Sequence, residues 1–386
     1  MSEYQYYEFQ AVDRPLIKGE MQELRACSSR ATITATRFVN HYEWGNFKGN
    51  PSTWMEKYFD AFLYLANWGT HELMLRLPRR VLDLDTAKRY CRGQAASARV
   101  KGDFLILEFL SEDEAGDDRE WDDGSGWLSS LIPLRADLAG GDHRALYLAW
   151  LLCVQTRELK DKEAEPPIPA GLGDLTAPLR AFADFLRIDQ DLLTAAAARS
   201  PQADTSLSDL EVERWIAALP DAAKTKWLVR FAGGQEPHLR AELLRQCRAS
   251  KPSAPRRSTE EAPRTVGEFL AAAERLAEER HRKDAERAAA VRARREREAA
   301  EARTRYLTDL AAREPKVWGE VDTLIATKKP DKYDQALKLL RDLRDLHSWK
   351  GTTNEIEARL FRLQEAHAKK PSFLARLEKA GLTVKT

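Results

Sequence analysis

Apolar and polar positions alternate over short stretches in the first third of the chain, then give way to helical spacing. Residues 4–12 (YQYYEFQAV) are aromatic-rich and predict a strand, stopped by Asp13-Arg14-Pro15. Met21 and Leu24 share one face of a short helix predicted over 18–27, and the Thr-rich, alternating stretch 31–42 predicts a second strand. Over 52–68, Met55, Tyr58, Phe59, Phe62, Leu63 and Ala66 follow i, i+3, i+4, i+7 spacing, which predicts an amphipathic helix capped by Ser52 or Thr53. Residues 71–77, 98–101 and 104–110 predict three more strands, with Gly102-Asp103 as the hairpin turn between the last two. Helices are predicted over 127–139 and 143–157. The second is apolar nearly all round and is therefore expected to be central.

Prolines and glycines over 163–173 (EAEPPIPAGLG) break any helix and mark a first linker. Four helical stripes follow. They are carried by Leu179, Phe182, Phe185 and Leu186; by Leu210, Val212, Trp215, Ile216 and Leu219; by Trp227, Leu228 and Phe231, closed by Gly233-Gly234; and by Leu239, Leu243 and Leu244. Packing as short antiparallel helices is expected. A Pro- and Ser-rich linker occupies 250–264. Beyond it, Val291 is the only apolar residue larger than alanine between Leu276 and Tyr306. Pairs such as Glu278–Arg282 and Glu301–Arg305 place the acid four residues before the base, which supports an isolated helix. Large apolar residues at coiled-coil a and d positions are missing, so a solvated helical spacer is expected, about 70 Å long if continuous. Self-association through its alanines is the alternative. The tail restores amphipathic spacing through Val317, Val321, Leu324 and Ile325, then Tyr333 to Leu343, then Ile356, Leu360 and Leu363, and a last helix after Pro371. The expected architecture is an α+β N-terminal domain (1–160) followed by helical segments and predominantly α overall. Its later parts are a helical domain (174–249), a linker (250–264), a long charged Ala/Arg/Glu helix (265–313) and a small C-terminal helical module (314–386).

Composition narrows the partners. The 62 Lys and Arg nearly cancel the 61 Asp and Glu, leaving +1, which excludes a globally basic nucleic-acid coat. The longest apolar runs fall well short of the ~20 residues that cross a bilayer. A soluble, cytoplasmic protein without an export signal or membrane partner is expected. The four cysteines are far apart in sequence and read as reduced structural thiols.

Chemistry-bearing motifs are sparse. No Walker loop, dinucleotide fingerprint, nucleophile elbow or paired-histidine zinc motif occurs in the sequence. No cofactor and no metal site are therefore expected. In 40–48 (NHYEWGNFK), His41, Glu43, Trp44 and Lys48 would suit an acid–base pocket with a stacking wall and an anion anchor. The preferred reading is structural, with Trp44 and Phe47 plugging the core beside a turn at Gly45. Asp13 and Arg14 read as an ion pair fixing a turn. The stretch 111–126 carries eight carboxylates against one arginine and reads as a solvated loop rather than a calcium site. Arg256 and Arg257 in the linker, and Arg292, Arg294, Arg295 and Arg297 in the spacer, are candidate phosphate contacts, although interleaved acids leave a surplus of only three positive charges over 264–313.

Two stretches carry a family resemblance. The opening YQYYEFQAVDRPL, with SSRATITATRF and WGNFKG after it, resembles a widespread uncharacterised bacterial family. The tail YDQALKLLRDLRDL and HAKKPSFLARLEKAGL is similar to the C-terminal region of some bacterial SWIM-type zinc-finger proteins. The SWIM signature, C-x-C then C-x-H, does not occur in this chain, so no metal ligands transfer. The tail resemblance implies the neighbourhood of nucleic-acid-associated systems. The expectation is a non-enzymatic interaction or scaffold protein, with another protein engaged through the helical tail or the N-terminal domain. The alternatives are a nucleic-acid-associated factor and an enzyme with a site near His41.

Overall fold

The computed structural model describes residues 3–45, 47–112, 122–202, 209–234, 238–250 and 263–384. The chain opens with β1 (Gln5–Gln10), α1 (Lys18–Cys27), β2 (Thr32–Ile33), β3 (Arg37–Tyr42), α2 (Pro51–Lys57), β4 (Ala61–Ala66), β5 (Thr70–Pro78), α3 (Leu84–Lys88), β6 (Ala96–Lys101) and β7 (Phe104–Glu112). These strands form one antiparallel sheet in the order β2-β3-β1-β4-β5-β7-β6. The expected α+β, predominantly helical class is therefore observed.

Three predicted elements differ. The helix expected over 52–68 ends at Lys57, and the rest of that run is β4. In β4 both faces are buried, so Ala61, Leu63 and Leu65 enter one core while Phe62 and Tyr64 pack into the other. A strand covered on both sides loses its alternation and mimics helical spacing. The single strand expected over 31–42 is broken by a tight turn in which Thr34 N–H donates to the Arg37 carbonyl, so that β2 folds back on β3. The helix expected over 127–139 is interrupted before Pro133, giving α4 (Trp127–Leu131) and α5 (Pro133–Ala139).

One face of the sheet is covered by α1 and α2 around Phe9, Phe38, Trp54 and Phe62. The other is covered by α4, α5, α6 (Arg144–Gln155), α7 (Ala177–Phe185) and α8 (Gln190–Ala197). As expected, α6 is central; Ala145 to Val154 are all buried. The proline-bearing run 163–173 is not helical, yet it is anchored rather than free. Ala164 bridges Thr265, and buried Glu165 accepts from Tyr147 and from both Arg264 Nε and Nη2 at 2.8 Å. Because α7 and α8 share the sheet's core, Met1–Arg280 is one compact unit rather than two successive domains.

Three further helices of this unit, α9 (Asp209–Ala218), α10 (Asp221–Gly233) and α11 (Leu239–Ser250), follow in the chain. The long helix is continuous as α12 (Val266–Ala312). Val266, Phe269 and Ala273 are buried in the first unit's core, residues 278–305 are all exposed, and Leu307 and Leu310 are buried in a second core. That second unit, His281–Thr386, closes around α13 (Glu314–Ala326), α14 (Pro330–Lys350), α15 (Thr353–Ala366) and α16 (Pro371–Lys379). Its polar clasp is His347, whose ring nitrogens meet Thr352 Oγ1 at 2.7 Å and Glu314 Oε1 at 3.0 Å.

Candidate functional site

The strand register brings several predicted candidates to one end of the sheet. Gln5 pairs with Tyr42 on one side and Ala66 on the other, so the chain around Tyr4, Glu43 and Asn67 lies level. There Tyr4 donates its amide N–H to Asn67 Oδ1 (2.9 Å) and its hydroxyl to the Asp123 carbonyl (2.8 Å), and stacks on His41. His41, Glu43 and Lys48 are exposed. Trp44 does not plug the core. It is 70% exposed, with the Arg30 guanidinium 5.8 Å from its ring centre, whereas Phe47 does enter the aromatic cluster against Tyr7 and Trp54. The preceding Gly45 adopts φ +86°, which swings the tryptophan out and the phenylalanine in.

The expected Asp13–Arg14 pair is replaced by two separate ones. Arg14 forks onto Glu20 at 2.7 and 2.9 Å, and this guanidinium holds the Glu20 carboxyl down at about 2. Asp13 instead accepts both Arg135 Nη atoms at 3.0 Å. Arg135 also donates Nε to the Arg76 carbonyl, and Arg76 grips Asp60 Oδ1 at 2.7 and 3.1 Å. The other Asp60 oxygen accepts the amides of Val12 and Asp13. Every member except Asp13 is essentially buried, and almost every donor and acceptor is used. Burial alone would raise the Asp13 carboxyl; the His238 imidazole and Arg135 outweigh it and hold it well below the carboxylate range. This saturated network ties together the ends of β1, β4, β5 and α5, so its role is architectural.

Sequence reasoning missed a second polar feature. Glu72 of β5 lies opposite Leu110, and Glu108 of β7 opposite Met74, so the two carboxyls are diagonal neighbours on one sheet face. Tyr7 and Tyr64 stand on the same face, their hydroxyls donating to Gln5 Oε1. Burial, reinforced by Glu108, pushes the Glu72 carboxyl up to about 7. The available signal was the charge at position 72, on the same strand face as Met74 and Arg76 of THELMLRLP.

Arg292, Arg294, Arg295 and Arg297 are all exposed on α12, where Arg294 pairs with Glu298 at 2.8 Å; Arg256 and Arg257 lie outside the described residues, as does most of the acidic stretch. At 100° per residue the four spacer arginines spread around the helix rather than forming one face. The stripes expected to bury α9 and α10 are only partly covered: Val212, Trp215, Leu219 and Trp227 are half-buried, but Leu228 is 68% exposed, Leu210 53% and Phe231 49%, Val229 beside them is 65% exposed, and α10 buries no residue. The neighbouring α11 is docked instead, through buried Leu239 and Cys247 and through Arg245 and Arg248, which donate to the Val81 and Gly140 carbonyls. Arg230 of α10 reaches Glu242 of α11 at 2.7 Å. Among the described residues no group of three His, Cys, Asp or Glu side chains is placed to hold a metal ion, and no helix is long and apolar enough to cross a membrane. Comparison with protein families, with characterised proteins and with solved structures gives no match.

Proposed function

We propose that the chain is a non-enzymatic interaction protein whose two folded units engage different partners, with the charged middle of α12 as a spacer. The observation that carries this reading is α10, which leaves Leu228, Val229 and Phe231 largely in water on a unit with a large closed core. Three large apolar side chains exposed within one turn of a helix mark a protein contact. Burying each of these side chains on a partner would contribute about 1.5–3 kcal/mol. Four free cysteines, three of them buried, support a reducing, cytoplasmic setting. The test is affinity capture from the native host with the full chain and with Leu228→Glu/Phe231→Glu. A protein retained by the parent and lost by the variant is expected; an unchanged set of retained proteins would refute it.

A second reading is nucleic-acid association, favoured by five arginines against one glutamate over 287–297, all exposed. The resemblance of the tail to SWIM-type proteins points the same way. Binding to DNA or RNA should then weaken steeply with salt as counterions are released. Replacing Arg292, Arg294, Arg295 and Arg297 by glutamine without changing that binding would remove this reading.

A further inference from the structure

The second unit contains a glycine that its own packing does not require. Gly319 lies in the middle of α13, where glycine weakens a helix relative to alanine. A side chain built there would meet no atom within 4 Å, and its φ is not positive, so neither close packing nor backbone conformation explains it. What Gly319 does is open a groove of about 890 Å³ between α13 and α14, roofed at one end by Tyr306 of α12. The floor is apolar, formed by Leu324 and Leu339, which are themselves half-buried against the unit's core.

The rims are charged. Lys316 on α13 and Lys338 on α14 flank the floor and are exposed, and neither ammonium group has a hydrogen bond or ion pair among the described residues. Of the two carboxylates in the groove, Asp342 is engaged by Arg303 at 3.1 Å and by the Tyr306 hydroxyl at 2.7 Å. That leaves Glu320 against two uncommitted cations. An apolar floor with room for a side chain over Gly319, between two unpaired ammonium groups on opposite walls, is complementary to an aliphatic residue flanked by carboxylates.

We infer that this groove binds an acidic, leucine-bearing peptide segment of a partner protein. The inference rests on the interaction reading above and assigns the second unit its surface. Leucine packs over Gly319 against Leu324 and Leu339, and acidic side chains on either side pair with Lys316 and Lys338.

The test is fluorescence anisotropy of the full chain with a fluorescein-labelled decapeptide, Glu-Leu-Glu-Asp-Leu-Leu-Glu-Asp-Leu-Glu; its control carries lysine at every acidic position. The acidic peptide should bind and weaken as salt rises, and the lysine peptide should not bind. Gly319→Trp, which fills the groove, and Lys316→Glu/Lys338→Glu, which reverses its rims, should each weaken binding by at least about tenfold. Melting followed by circular dichroism should not fall in either variant, because all three positions face open space and losing the mid-helix glycine favours α13. No binding of the acidic peptide, equal binding of the lysine peptide, or full binding by both variants would overturn the inference. So would sedimentation showing the chain pairing with itself in a manner abolished by Gly319→Trp, since the groove would then hold a second copy. If the groove inference fails while the α9–α10 variant still loses its partner, the interaction reading stands without it.

Discussion

The Glu72–Glu108 pair makes a prediction whose sign and size follow from its surroundings. The folded unit raises the Glu72 carboxyl from 4.5 to about 7, because β5 buries it and Glu108 repels a second negative charge beside it. Folding therefore favours the protonated acid. Below pH 4.5 the folded and unfolded chains are both protonated there and the site costs nothing. Between pH 4.5 and 7 the unfolded chain gives up the proton first, so stability falls steadily, and above pH 7 the penalty levels off. At 1.36 kcal/mol per tenfold the difference amounts to about 3 kcal/mol, and residual solvent contact brings the expected value to about 2–3 kcal/mol. Glu72→Gln keeps the shape and removes the charge. It should leave stability unchanged at pH 4 and raise it by about 2–3 kcal/mol at pH 8. Hydrogen exchange of β5 and β7 amides, taken as the ratio of variant to parent at each pH, cancels the intrinsic pH dependence of exchange. The variant should exchange on the order of 30- to 150-fold more slowly at pH 8 and equally at pH 4. A gain of the same size at both pH values would show that packing, not charge, is responsible. No gain at pH 8 would refute the buried-repulsion argument itself.

Other consequences follow from the same packing. Arg135→Met takes the guanidinium partner from the Asp13 carboxylate, leaving only His238 beside it, and should lower the stability of the first unit by about 3–5 kcal/mol in urea unfolding; adding Asp13→Asn should recover part of the loss. At Gly49, an added Cβ would stand 2.6 Å from the Phe47 ring and 2.8 Å from the Trp54 ring. Gly49→Ala should therefore cost about 1–3 kcal/mol, visible as a lowered melting temperature. A peptide of residues 276–306 should be helical by circular dichroism, independent of concentration and weakened but not abolished by salt, since each i, i+4 pair contributes about 0.2–0.5 kcal/mol. Helicity that climbs with concentration would mean that the alanines associate.

Some of this molecule is determined locally. The all-round apolar run that becomes α6, the turn at Gly102-Asp103 between β6 and β7, and the charged continuity of α12 each depend on neighbours a few residues away. Two residues of the N-terminal stretch also have local duties: Arg14 fixes the start of α1 through Glu20, and Gly49 makes room for Phe47 and Trp54. Other features exist only once distant segments meet. β4 has the spacing of a helix and becomes a strand because β1 and β5 offer it partners on both sides and two cores take its two faces. Asp13 passes over its sequence neighbour Arg14 for Arg135, 122 residues away, and Arg135 closes on the Arg76 carbonyl across 59. Each of those charges offsets the other's cost of burial, a condition no short window of sequence contains. The exposure of α9 and α10 was likewise decided in three dimensions. Their amphipathic stripes show that each can bury a face, but whether this chain supplies the cover depends on what folds nearby, and the first unit's core is already filled by α6, α7 and α8.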